Sequence, residues 1–438
     1  MRVGPAFLQT FATQVIQSAA SILTGILIAR SLGPTGQGGY ALFAAAVAIA
    51  VIVASLGQFE GNVLTSAGQT AGGRILLARA GVHAAAILLL AVLLVPVWRD
   101  RYRGTSAEGV AILFAVVLGV EVFAQLLRGI NLGQHHVLAY NLAGLLQRFC
   151  YLTLVVGVLL ASHMQLTSVL VAWAIATGLS TLFSAVWLWR RSPGGSLQWS
   201  ALKDGWAATL TRGLRALVTI SITLLLVRCD LWMMGPMLGL ASVGQMSVAV
   251  ALAEWLWYVP SILGNVLFAV VAADQGPESL QRIARASRAV VAMVLPAAAL
   301  LILVGRTVVP LIYGAAYAPA GLLFVLLVPG MSAVAIHLVV DSYFAGRGFP
   351  PISIWSATGA LVAKVVLNLA VIPRFGAPGA AAATTIVYTG LLVTKVIALH
   401  RETGLSLANL LRPRPSEFRE TVGFAREWLR QRFGEAAG

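Results

Sequence analysis

Apolar runs of about 20 residues recur along the whole chain, and nothing else in it constrains the fold so tightly. A bilayer core about 30 Å thick needs about 20 mostly apolar residues per helical crossing. Lipid offers no partner to a backbone amide, so each crossing must be a helix or part of a closed barrel. Twelve such runs can be drawn, over roughly 6–29, 40–57, 80–98, 110–128, 141–161, 167–189, 212–235, 243–271, 289–312, 320–342, 351–372 and 379–399. Pro260 and Gly264 offer the long eighth run a place to bend. The first run exceeds a signal-peptide core, and Ile28-Ala29-Arg30-Ser31 lacks a small-x-small cleavage site, so it is expected to remain as a membrane helix. Only 10% of the residues are charged and 59% are hydrophobic, whereas a soluble domain carries about a quarter charged residues. The fold class expected is an all-α polytopic membrane protein.

The basic residues test this count. Net charge is +15. With an even number of spans both termini share one side. Twenty-one of the 30 Lys and Arg residues then fall on that side, including Arg74, Arg79, Arg190, Arg191, Arg282, Arg285, Arg288 and seven in the tail. Five fall opposite: Arg30, Arg99, Arg101, Arg103 and Arg374. Arg228, Arg306, Lys364 and Lys395 lie within spans. Positive charge gathers on the cytoplasmic side, so both termini are expected there. Basic residues placed between apolar runs orient the chain and meet anionic lipid; they do not indicate nucleic acid.

Cys150 and Cys229 lie in apolar runs outside any metal or redox spacing, and His135-His136 is the one adjacent histidine pair. No HExxH or Walker loop is present, so neither a cofactor nor ATP hydrolysis by this chain is expected. Leu32-Gly33 and Gly38 match Leu238-Gly239 and Gly244 at a constant offset of 206 residues, each in what reads as a short loop joining the first two helices of a half. The match is either an internal repeat of two six-helix halves or coincidence between glycine-bearing turns. The expected organisation is an N-terminal lobe (1–190), a linker (191–211), a C-terminal lobe (212–400) and a basic tail (401–438). In the tail Phe418, Val422, Ala425, Leu429 and Phe433 recur at helical spacing between arginines, as in an interfacial amphipathic helix or else a frayed end.

The segment Ala29-Arg30-Ser31-Leu32-Gly33-Pro34-Thr35-Gly36-Gln37-Gly38-Gly39-Tyr40-Ala41 resembles the signature after helix one of the polysaccharide and O-antigen flippases. Val227-Arg228-Cys229-Asp230 with Leu238-Gly239 to Gly244 resembles its second-half counterpart. Gly346-Arg347-Gly348, Leu367-Asn368-Leu369 and Ile372-Pro373-Arg374-Phe375-Gly376-Ala377-Pro378-Gly379 resemble that family's last helix junction. The wider superfamily also holds multidrug exporters and peptidoglycan-precursor flippases. Arg30 is the only arginine between Arg2 and Arg74, unlike the arginine-rich first helices of the peptidoglycan branch. The resemblance implies two six-helix lobes around a central cavity, alternating access, a lipid-linked oligosaccharide as substrate, and a polysaccharide polymerase and chain-length machinery as partners.

A lipid-linked sugar diphosphate needs a polar passage. Polar residues do recur at helical spacing: Thr10, Gln14, Gln17, Ser18 and Ser21; Glu121, Gln125 and Arg128; Ser247, Glu254, Tyr258, Ser261 and Asn265; Lys364 and Asn368; Thr384, Tyr388 and Lys395. Such stripes line a passage or glue helices together. A charge at bilayer depth costs about 2.5–3.5 kcal/mol on insertion scales, so the in-span charges carry more information. Arg128, Arg228, Lys364 and Lys395 are candidates for the diphosphate headgroup. Glu121, Asp230, Glu254 and Asp341 are candidates for coupling to H+ or Na+. Gln14, Gln17, Ser21, Gln125, Tyr258 and Asn368 are candidate cavity-lining groups. Arg228 and Asp230 point about 200° apart on one helix, so each requires another partner; Asp341 has His337 one turn away. Two other classes stay open: a cation-coupled exporter of the same superfamily, and a membrane glycan polymerase or ligase, although the Arg99–Gly109 loop lacks a paired catalytic set.

Overall fold

The computed structural model describes residues 3–66, 73–101, 110–161, 164–192, 199–273, 276–348 and 350–412. These are helical almost throughout. The helices are α1 (Val3–Ser55), α2 (Gln58–Ser66), α3 (Gly73–Arg101), α4 (Val110–Gly133), α5 (Val137–Ala161), α6 (Leu166–Arg191), α7 (Trp199–Leu238), α8 (Leu240–Ala253), α9 (Trp255–Ala273), α10 (Pro277–Tyr313), α11 (Ala318–Gly346), α12 (Pro351–Thr403) and α13 (Leu407–Leu411), with a 3-10 turn at Ala315–Tyr317. The amphipathic tail pattern from Phe418 onward lies outside the described residues.

At 53 residues each, α1 and α12 would be about 80 Å long if straight, far beyond one bilayer crossing. Each is broken by one glycine, Gly33 (φ 65°, ψ 179°) and Gly376 (φ 61°, ψ −145°). Among the described residues nine helices are long and apolar enough to cross a membrane, and α8 with α9 forms one further bent pair. Counting the two arms of α1 and of α12 separately and the bent pair once gives twelve crossings. The expected loop after the first span is thus a one-residue kink inside continuous helix. The eighth span bends at Glu254, by 46°, and not at Pro260 or Gly264. There the Trp257 N–H donates to the Glu254 carbonyl, tightening the turn, while Pro260 stays inside α9. Span ends differ too: α4 runs on to Gly133 and α5 begins already at Val137, so the connection between them is shorter than expected.

The 206-residue offset has a backbone counterpart. Gly239, between α7 and α8, adopts φ 81° and ψ 169°, close to Gly33. This region is open almost only to glycine. Gly33→Ala and Gly239→Ala are each expected to cost about 1–3 kcal/mol, measured by unfolding of the purified protein in detergent. Gly25→Ala, inside helix with nothing near a new Cβ, should be neutral or stabilise by up to about 1 kcal/mol. Equal effects at all three sites would remove the strain argument.

The chain forms two compact units, Met1–Arg228 and Cys229–Gly438, with the division inside α7. In the first unit α4 is central, touching α1, α2, α3, α5 and α6. In the second, α11 is central, touching α8, α9, α10 and α12. Each is the fourth span of its half. Peripheral helices turn apolar side chains outward, as Leu89, Leu90, Leu93, Leu94 and Val97 of α3 do. In water that face would aggregate; in a bilayer it meets acyl chains.

Candidate polar sites within the two lobes

The first unit holds a polar cluster around Glu121 of α4, which is 9% exposed. Its Oε1 accepts from Trp173 Nε1 at 2.8 Å, Thr177 Oγ1 at 3.0 Å and Gln147 Nε2 at 3.1 Å. Its Oε2 meets Arg128, two turns along the same helix, at 3.3 Å. The amide of Gln147 also donates to Thr177 Oγ1, at 2.9 Å, and its oxygen accepts from Arg128 at 3.4 Å. Helices α4, α5 and α6 each contribute, so the carboxylate ties three spans together. Tyr40 leans against Trp173, and its hydroxyl accepts from Tyr151 at 3.2 Å.

The second unit holds a drier cluster around Asp230 of α7, 2% exposed. Lys364 Nζ, completely buried, lies 2.6 Å from Asp230 Oδ2 and 4.9 Å from the Tyr388 ring centre. Thr384 donates to Oδ2 at 3.0 Å, and Asn368 Nδ2 to Oδ1 at 2.7 Å. Lys364 and Asn368 sit one turn apart on the first arm of α12; Thr384 and Tyr388 sit one turn apart on the second. The Gly376 break therefore brings two stretches of one helix onto the same carboxylate. Further along, Lys395 Nζ lies 2.6 Å from Asp341 of α11 and 2.8 Å from Ser353 Oγ, 4.6 Å from the Phe344 ring centre.

The candidate cations and candidate carboxylates thus form pairs: Arg128 with Glu121, Lys364 with Asp230, and Lys395 with Asp341. Asp341, which is half-buried, pairs with the ammonium group of Lys395 and not with His337 one turn away. The remaining candidates are not members of these three pairs, although the charge of Glu254 reaches Tyr388 beside Lys364. Arg228 is half-buried at the end of the first unit. Glu254 is half-buried at the α8–α9 bend, and Tyr258 stacks on Trp255 at 5.4 Å. Gln14 is exposed and Gln125 half-buried. The Gln17 amide lies against Gly144 of α5, and the Ser21 hydroxyl donates to the Gln17 carbonyl of its own helix. Sequence reasoning missed Gln147, Trp173, Thr177 and Ser353. One signal existed: Thr177 and Thr384, the two carboxylate-bonded threonines, are 207 residues apart, within one of the repeat offset. Each lobe so carries a buried carboxylate with a cation, a carboxamide and a threonine of its sixth span.

No protein-family model and no curated relative matches the chain. Solved structures do. A lipid II flippase, MurJ, in an inward closed conformation matches with a TM-score of 0.71 at 12% identity, over 90% of this chain and 86% of that one. An inward-facing multidrug resistance MATE family transporter of the MOP superfamily matches with a TM-score of 0.71 at 15% identity, over 91% and 100%. A Vibrio cholerae MATE transporter matches with a TM-score of 0.63 at 13% identity, over 91% and 98%. The chain has the fold of these MOP-superfamily transporters, about twelve helices in two lobes.

Proposed function

We propose that this chain is a carrier, not an enzyme, and that it flips a polyprenyl-diphosphate-linked oligosaccharide from the inner to the outer leaflet of a bacterial cytoplasmic membrane by alternating access. The observation that carries the reading is the buried Lys364–Asp230 pair with Tyr388, Thr384 and Asn368 around it. A diphosphate is a bidentate anion that competes with a carboxylate for an ammonium group. Neutralising Asp230 by a proton frees Lys364 for the headgroup; headgroup release restores the pair. Arg128–Glu121 and Lys395–Asp341 offer the same exchange elsewhere. Coupling to H+ follows directly from this scheme, and Na+ would act by the same neutralisation. The lipid tail stays in the bilayer, so only the sugar and phosphate need polar surroundings. The excess of basic residues on the side of both termini supports a cytoplasmic position for them. A polymerase and chain-length machinery would receive the flipped glycan.

Likeness to MATE transporters favours a second reading, a cation-coupled exporter of small molecules. Proteoliposomes distinguish the two. Under the flippase reading, a fluorescent lipid-linked oligosaccharide becomes accessible to an external reductant faster than in empty vesicles, and an imposed pH gradient changes that rate. Transport of cationic dyes without any flipping would establish the exporter instead.

A further inference from the structure

At one end of the first unit, buried polar atoms are left without partners. Helix α2 ends there at Ser66, α3 begins at Gly73, α4 ends at Gly133, α5 begins at Val137 and α6 ends at Arg191. Contacts join these ends. A side chain at Gly73 would collide with Ser192 Oγ, with the Gln134 amide close by, and one at Gly133 with Ser66 and the Asn62 and Val63 carbonyls. The His136 N–H donates to the Asn131 carbonyl at 2.8 Å. The Arg74 guanidinium lies 4.6 Å over the Trp189 ring, and that of Arg191 lies 4.8 Å over Trp187.

Asn131 is completely buried, and neither atom of its amide has a hydrogen-bond partner. Ser66 Oγ, Arg74 Nε, Trp187 Nε1 and His136 Nδ1 are also buried without one. An unmet buried polar group costs about 1–3 kcal/mol, so five gathered at one end call for a ligand. Their chemistry selects its charge. Arg74 Nε, Trp187 Nε1 and Asn131 Nδ2 only donate, Ser66 Oγ and His136 Nδ1 can donate in one rotamer or tautomer, and Asn131 Oδ1 alone can only accept. Arg74, Arg191 and the His135-His136 pair lie on these same helix ends, and the described stretches 62–66, 73–80, 129–138 and 185–192 contain no Asp or Glu. Water would satisfy the dipoles but would bring no charge to oppose these cations, and those described stretches hold no carboxylate to do so. Four apolar spans start or stop here, which sets the depth at the headgroup layer, and Trp187 with Trp189 is the aromatic pairing of that layer.

We infer that this end of the first unit binds the phosphodiester headgroup of an anionic phospholipid, with Arg74, Trp187, Asn131 and His136 as its donors. The site is separate from the carboxylate pairs and does not depend on the flippase reading. Burial first, and then the charges of Arg191 and His135, hold the His136 imidazole below its ordinary range. A phosphate docked there must raise its titration midpoint.

The test uses the full-length protein in nanodiscs of phosphatidylcholine, doped stepwise with phosphatidylglycerol, with His136 followed by NMR of labelled histidine. Phosphatidylglycerol should raise the His136 midpoint. It should also be enriched over phosphatidylcholine in lipid co-purified with the protein. Arg74→Gln should reduce that enrichment about fivefold, as removal of one surface arginine does. Arg74→Lys, which keeps the charge and loses the planar stack, should recover only part of it. Arg374→Gln, an equal charge loss at an exposed position of the second unit, should leave enrichment and midpoint unchanged. A His136 midpoint insensitive to phosphatidylglycerol would overturn the proposal. So would an equal shift on adding inorganic phosphate to phosphatidylcholine nanodiscs, which would mark a site for soluble anions.

Discussion

Replacing Lys364 by methionine is expected to destabilise the second lobe by about 3–5 kcal/mol, because it leaves the Asp230 carboxylate buried without its counter-charge. Asn368 and Thr384 still donate to it, but two neutral donors do not replace an ammonium group at 2.6 Å. Asp230→Asn alone should also destabilise, since it strands the completely buried Lys364. The double variant Asp230→Asn with Lys364→Met removes both charges at similar volume, and it should recover most of the loss. Thermal unfolding in detergent measures all three. The same proteins separate structure from function. If the pair is the exchange device, the double variant folds and reaches the membrane but does not transport. Wild-type transport by the double variant would reduce the pair to a structural tie.

The second large effect is expected at Glu121. Glu121→Ala removes the acceptor of Trp173, Thr177 and Gln147 together and takes the partner of Arg128. Stranding buried donors costs about 1–3 kcal/mol for each group not reached by water. Arg128 is partly exposed and screened, and the three neutral donors share one oxygen, so a total of about 2–5 kcal/mol follows. Glu121→Gln keeps the volume and one acceptor oxygen, and should cost no more than half as much. If Arg128 serves a headgroup through exchange with this carboxylate, Glu121→Gln should also uncouple transport from pH while flipping continues down a gradient. Retained pH dependence would assign Glu121 to holding α4, α5 and α6 together and nothing more.

The glycine repeat shows how much local sequence can reveal. Leu32-Gly33 and Leu238-Gly239 were visible as a matched pair, and the backbone at both glycines has nearly the same non-helical geometry. What local sequence did not show was that no loop intervenes. A glycine in this conformation reverses or bends a chain within one residue, so the helix resumes at once. The same limit explains the eighth span. Proline and glycine mark permitted bends, but the bend fell at Glu254, where the hydrogen-bond pattern tightens.

Sequence alone determined the class, the helical spans and the identity of most of the charges buried in them. Those follow from one local quantity, the cost of placing polar atoms in hydrocarbon, which can be summed residue by residue along the chain. Only the tertiary structure decided that the cations and carboxylates, which the sequence presents as two separate sets, belong together. Asp230 meets Asn368 and Thr384 across 138 and 154 residues of chain, and no local pattern encodes which distant helix will lie against it. Packing made that choice, and with it turned four charges of α7, α11 and α12 into two pairs, one buried on both sides and one half-buried at Asp341.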